Sequence, residues 1–248
     1  MDPVITRHRH EVKRRTLTVL SATRITPNML RIVFGGEDLA DFTSLSPDDH
    51  VKLIVPGAGD QPEMRDYTPR AFDAAARRLT IDFALHEAGA ATQWALAAKP
   101  GDRLQIGGPR GSAVVTAAFD WWLLIGDETA LPALGRRIEE LPAGTRVTSL
   151  GLVTAAEEEQ RFDTAAELTA LWLHRPAAAV ADPAPVIAAL ERLQLPEGRG
   201  FIWIAAEAGV ARAARDHFLT RRNHPRGWLK AAGYWVKGVA DGHDKMLD

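Results

Sequence analysis

The chain has 248 residues, 46% of them hydrophobic, enough for a sizeable core, and at about 150 residues per domain it makes one large or two small domains. Its formal net charge of −2 argues against a general nucleic-acid binder, so any attraction for anions must come from a local basic patch. Cysteine is absent, which removes disulfides, thiolate catalysis, Cys-ligated iron–sulfur clusters and most structural zinc sites.

Met1 to Lys13 is polar, carries Arg7, His8, Arg9 and His10, and lacks the apolar stretch of a secretory signal; a mobile arm is expected. No apolar run approaches the about 20 residues of a membrane span, so a soluble, cytoplasmic protein without a membrane span is expected. Short strands follow. Thr16–Leu20 alternates, Met29–Phe34 stops at Gly35-Gly36, and His50–Val55 stops at Pro56-Gly57. Leu79–Leu85 alternates again, and Arg103–Ile106 precedes Gly107-Gly108-Pro109. Five or six such strands with Gly/Pro punctuation predict a six-stranded antiparallel β-barrel. One helix interrupts them, Ala90–Ala98, closed by Pro100-Gly101.

The second half changes character. Trp121–Ile125 is a continuous apolar run, as in a strand buried on both faces. A turn, Gly126-Asp127-Glu128-Thr129, leads into a helix marked by Leu131, Leu134, Ile138 and Leu141. Strands are predicted at Val147–Val153, Leu168–Leu173 and Phe201–Ala205, with helices at Val186–Leu193 and Val210–Phe218. This alternation predicts a parallel, Rossmann-like α/β sheet, and the domain boundary is placed near Thr116–Phe119: a β domain over 1–117, an α/β domain over 118–248. The run Glu157-Glu158-Glu159 reads as a solvated loop, and His217, His224 and His243 show no ligand spacing, so no bound metal is expected.

Arg65-Asp66-Tyr67-Thr68-Pro69-Arg70 sits between strands of the expected barrel. With the α/β half after it, it resembles the ferredoxin-reductase superfamily, and within it the siderophore-interacting proteins, a family of ferric-siderophore reductases. The resemblance rests also on His86, Ala90-Ala91-Thr92-x-Trp94, Pro100-Gly101-Asp102, Gly108-Pro109-x-Gly111, Gly126 to Ala133 and Gly233-Tyr234-Trp235. Each piece is weak; their order and spacing over nearly the whole chain are specific.

The resemblance implies FAD in the first domain, and residue chemistry gives the roles. Tyr67 is suited to lie against the isoalloxazine face, Thr68 to meet its reactive edge, and Arg65 to grip pyrophosphate. Ala90, Ala91 and Thr92 offer backbone N–H groups at a helix start, where phosphate is favoured. Asp82 and His86, on alternate positions of one strand, face the cofactor, and Trp94 covers its adenine. Taken singly, Tyr67, His86 and Trp94 read as packing residues; the joint pattern favours flavin.

The usual Gly-x-Gly-x-x-Gly fingerprint is absent. In its place stands Gly126-Asp127-Glu128-Thr129-Ala130, whose acidic pair would repel a close phosphate and suits a ribose hydroxyl or carboxamide, with Thr129 as N-cap or direct donor. A second turn, Ala205 to Gly209, adds Ala206 and Glu207; the resemblance gives both turns to the nicotinamide, NADH or NADPH. Arg136, Arg137, Arg175 and the stretch near Arg221-Arg222 are candidates for a 2′-phosphate. By resemblance, Lys52 and Lys237 bind the substrate, an anionic ferric siderophore or other ferric chelate. The expected protein is an FAD-dependent NAD(P)H:ferric-siderophore reductase, a monomer without a protein nucleophile, because the cofactor carries the chemistry. Two other readings stay open: a general NAD(P)H:flavin oxidoreductase, and a non-enzymatic chelate-binding protein.

Overall fold

The computed structural model describes residues 4–57, 59, 61–85, 89–116, 118–239, 242 and 244. The chain divides into two compact units that meet at Thr116 and Ala117.

The first unit contains β1 (Ile5–Arg9), β2 (Arg14–Thr26), β3 (Met29–Gly35), β4 (Val51–Val55), β5 (Glu63–Tyr67), β6 (Ala71–Asp73), β7 (Arg78–Ala84), α1 (Ala90–Ala97), β8 (Arg103–Gly107) and β9 (Gly111–Val115). Seven strands form one antiparallel sheet in the order β5-β4-β8-β2-β3-β7-β6. Period-two alternation sends one side chain in two to the same face. Leu17, Val19, Ile32, Phe34, Val51, Leu53, Leu79, Ile81, Phe83, Leu104 and Ile106 meet there as the core. The sheet is curled: Tyr67 of β5 and Phe83 of β7 have ring centroids 4.6 Å apart, although four strands separate β5 from β7 in the pairing order. Helix α1 packs on this core through Ala91, Ala95 and Trp94.

Two expectations are corrected here. The antiparallel β domain is present, but its curled sheet has seven strands, not six, with a separate β1–β9 pair. The added strands β5 and β6 are too polar or too short for an apolar alternation; their register with β4 and β7 makes them strands. The N-terminal segment is not a free arm, because β1 pairs antiparallel with β9 from Ile5↔Val115 to Arg9↔Gly111. Such pairing uses backbone groups and needs no apolar side chains. It does need Gly111, where a Cβ would stand 2.4 Å from the His8 carbonyl oxygen. His10 is fixed as well, its Nε2 2.8 Å from the Ser112 hydroxyl.

The second unit contains β10 (Trp121–Asp127), α2 (Leu131–Glu140), β11 (Arg146–Val153), β12 (Glu167–His174), α3 (Ala184–Arg192), β13 (Gly200–Glu207), α4 (Ala208–Asp216) and β14 (Leu229–Trp235). All five strands are parallel, in the order β12-β11-β10-β13-β14. Strands β10 and β13 are buried at every position, which explains their unbroken apolar runs. Helices α3 and α4 cover one face through Val186, Leu190, Val210 and Ala214, with Phe218 of the turn after α4 beside them. β14 was not read from the sequence; its Ala- and Gly-rich stretch becomes a strand by pairing with β13. From β10 the chain runs outward to β12, then returns to place β13 on the other side of β10. The crevice at the carboxyl ends of β10 and β13 is therefore the topological switch point, where open α/β sheets bind ligands. Among the described residues, no helix is long and apolar enough to cross a membrane.

Candidate functional site

In the first unit, Arg65-Asp66-Tyr67 is not a connection between strands but the end of the edge strand β5. Its register with β4 pairs Tyr67 with Val51, Asp66 with Lys52 and Arg65 with Leu53. Opposite residues of an antiparallel pair share a face. Arg65 and Tyr67 therefore stand on the side of Val51 and Leu53, and Lys52 and Asp66 on the other, where they form an ion pair of 3.0 Å. The half-buried Tyr67 ring leans on Phe83 at 41°, and burial pushes its phenol well above the ordinary tyrosine range. Arg65 reaches the Glu63 carboxylate and donates to the Met64 carbonyl at 3.0 Å. Thr68 and Arg70, just after the strand, are buried.

Asp82 does not present a free carboxylate to a cofactor. It is buried on β7, takes two 2.7 Å hydrogen bonds from Arg31 of β3, and lies 3.7 Å from the Arg70 guanidinium. Buried carboxylates need such partners. It ties Arg70, two residues after Thr68, to β3 and β7. Sequence reading quoted Arg70 without a role and missed Arg31; the available signal was a buried-strand Asp requiring a cationic neighbour.

Ala90, Ala91 and Thr92 begin α1 after Gly89, and among the described residues no side chain caps that end. The first N–H groups of a helix lack intrahelical partners, so they are donors for a ligand phosphate. Trp94 instead turns into the core, 6.1 Å from Phe34 in a stacked arrangement and 6.2 Å from Phe83. It is half-buried, so part of its surface is packed on the core. His86 lies outside the described residues.

In the second unit, the two predicted turns meet at the switch point. Asp127, fully buried at the end of β10, accepts four hydrogen bonds. Thr129 donates its N–H (3.0 Å) and hydroxyl (2.6 Å) to one oxygen. The Glu207 N–H and the Trp235 indole N–H each donate at 2.8 Å to the other. One carboxylate thus fastens the ends of β10, β13 and β14. The acceptor capacity of Asp127 is spent inside the protein, so what it gives the turn is a fixed conformation. Thr129 is not the N-cap; Ala130 occupies that place in α2. A Cβ on Gly126 would stand 3.0 Å from that of Ala130, so glycine keeps the turn tight. Glu207 caps α4, accepting from Gly209 N–H (2.6 Å) and Val210 N–H (3.2 Å). Ala206 beside it is fully buried. Lys237 is exposed, and its ammonium donates to the Ala178 carbonyl at 3.0 Å.

Glu128 is the exception at this edge. Its Oε1 is buried with no hydrogen-bond partner among the described residues, and its Oε2 is 3.9 Å from Arg175. Burial first, then the neighbouring Asp127 charge, pushes its carboxyl up to about 7. Arg175, just after β12, is buried too. Its Nη1 donates to Val180 at 2.7 Å, whereas Nε and Nη2 have no partner among the described residues. Three of the other arginines proposed for a phosphate are engaged elsewhere. Arg136 pairs with Glu140 within α2 at 2.6 Å, Arg137 lies over Trp122, and Arg222 binds the carbonyls that end α3.

Comparison with known families matches residues 18–63 and 57–113 to the siderophore-interacting FAD-binding domain, and residues 119–238 to the siderophore-interacting protein model. An NADPH-dependent ferric-chelate reductase of Escherichia coli is 35% identical over 92% of this chain and 95% of its own. The ferric vibriobactin reductase ViuB of Vibrio cholerae is 28% identical over 92% of this chain and 93% of its own. A crystal structure of a siderophore utilization protein from T. fusca superposes with a TM-score of 0.90, at 38% identity, covering 98% of this chain and 100% of that one.

Proposed function

The chain belongs to the siderophore-interacting protein family, and from that membership we propose that it is an FAD-dependent NAD(P)H:ferric-siderophore reductase that releases iron from the chelate as Fe(II). The observation that carries this reading is the family match across both units, to an FAD-binding domain and to the parallel-sheet half that follows it. When bound, FAD supplies the conversion of a two-electron hydride donor into the single electrons that Fe(III) accepts.

The residues present fit these groups. Tyr67 offers an aromatic face, Arg65 a guanidinium for pyrophosphate, and Ala90, Ala91 and Thr92 a helix start whose N–H groups no side chain caps. Thr68 adds a hydroxyl, and His86 belongs to the same proposed site. Asp82 serves it indirectly by holding Arg70 and Arg31 in place. On the nicotinamide side, Gly126 and Ala130 keep the first turn close, Asp127 fixes its conformation, and Ala206 and Glu207 form the second turn. The orphaned atoms of Glu128 and Arg175 are polar groups that a docked carrier would meet. Arg175 and the NADPH dependence of the Escherichia coli relative favour NADPH. Lys52 and Lys237 are the proposed cations for the anionic chelate. A cytoplasmic monomer completes the proposal, since that compartment supplies reduced nicotinamide.

The test is anaerobic. FAD-loaded protein is mixed with NADPH or NADH and a ferric siderophore in the presence of a ferrous trap. Bleaching of the flavin followed by a ferrous signal is expected. No ferrous signal with any chelate would overturn the reading, and bleaching without it would point to a general flavin oxidoreductase.

A further inference from the structure

Two carboxylates stand side by side after β10 in opposite chemical situations. Asp127 is satisfied by four donors, two on each carboxylate oxygen. Glu128 receives no hydrogen bond on Oε1, and its approach to Arg175 at 3.9 Å is too long for one. The charged groups facing Glu128 come from three places: Asp127 on its own turn, Glu158 in the short helix after β11, and Arg175 after β12. Burial opposes its ionisation most, then Asp127 and, least, Glu158; a hydrogen bond from its own backbone N–H and the Arg175 charge favour it. Arg175 is 1% exposed, and two of its nitrogens have no hydrogen-bond partner among the described residues, Nη2 having only the long ion pair to Glu128, so its charge is incompletely compensated. The cluster lies at the carboxyl edge of a parallel sheet, where a dinucleotide's phosphates dock. An ionised Glu128 beside an ionised Asp127 would repel them.

We propose that Glu128 and Arg175 form a proton-coupled phosphate gate: Glu128 takes up one proton from solvent as the phosphate groups of the nicotinamide carrier dock, leaving the Arg175 charge unopposed. The inference rests on the reductase reading and deepens it. Protonated Glu128 also gains an O–H donor where it had only acceptors. Linkage is reciprocal, so phosphate raises the proton affinity of Glu128 by the same factor by which its protonation raises phosphate affinity. The proton returns to solvent when the carrier leaves, and no electron or covalent bond is involved in the gate. Carrier affinity therefore falls as pH rises above about 7, the value to which the Glu128 carboxyl is pushed.

Calorimetric titration of NADP⁺ into FAD-loaded protein, in buffers of different ionisation enthalpy at about pH 7.5, counts the protons taken up. The wild type should take up most of one proton more than Glu128→Gln, an isosteric change at an atom that already lacks a donor. Affinity of the variant should vary less with pH, approaching roughly tenfold less loss per pH unit. The carrier's own phosphate protonation is common to both proteins and cancels in the difference. Glu128→Ala should repeat the result. Equal proton uptake by wild type and both variants would overturn the gate while leaving carrier binding intact. No NADP⁺ binding by any form at any pH would overturn the gate together with the carrier reading.

Discussion

Asp127 and Glu128 carry the same functional group one position apart, and their surroundings separate them. Four donors make Asp127 a structural fastener; burial beside it makes Glu128 a titrating group near neutrality. The sequence located both, but not this division, because two of the Asp127 partners are 80 and 108 residues away. The same distance effect hid Arg31, which claims Asp82 from 51 positions away. A stability consequence follows from the Glu128 value. Its carboxyl is raised from 4.5 to about 7, so the folded chain keeps a proton that the unfolded chain has already released. That contribution is present below the unfolded value, is lost as pH rises through this window, and is constant above it. Glu128→Gln should therefore gain about 3 kcal/mol over wild type between low and neutral pH. Urea unfolding at both ends of the window measures it, and a pH-independent difference would contradict the burial argument.

Strands with apolar alternation, such as β3, β4 and β7, were legible because apolar side chains at every second position enter the core. β1 and β5 were not, because their polar side chains leave only backbone pairing to define them. Helix α1 was legible as a helix, but its inward face was not: Ala91 and Ala95 tolerate any environment, and Trp94 fits a ligand cover or a core equally on sequence. The structure seats Trp94 between Phe34 and Phe83, with Tyr67 beyond Phe83. Trp94→Ala should cost about 3 kcal/mol of stability, near the low end for a core aromatic because the ring is only half-buried. It should weaken FAD binding less than Tyr67→Ala does. Urea unfolding and flavin-fluorescence titration separate the two effects, and equal loss of FAD affinity would place Trp94 at the ligand.

Over the whole chain, strand–helix alternation announced a parallel sheet, while strand order did not follow from it. The switch point between β10 and β13 is a property of the fold, and it alone explains why turns near residues 127 and 207 share one crevice. Net charge belongs to this scale as well. At −2 the molecule exerts no general pull on an anionic chelate, so capture depends on local cations. Lys52→Ala combined with Lys237→Ala should lower kcat/KM for an anionic ferric chelate roughly tenfold at low ionic strength, with the gap closing as salt rises. Stopped-flow reduction by the nicotinamide, followed separately, should be unchanged; a gap insensitive to salt would assign these lysines a contact role without steering. The pairing of β1 with β9 has a further consequence for the first unit. It brings Val4 and Thr116 together, with the Thr116 N–H donating to the Val4 carbonyl at 2.9 Å. The unit's entry and exit are thus neighbours, the geometry of a cassette: it can be spliced into a loop of another polypeptide and leave the host's two flanking ends a few ångströms apart.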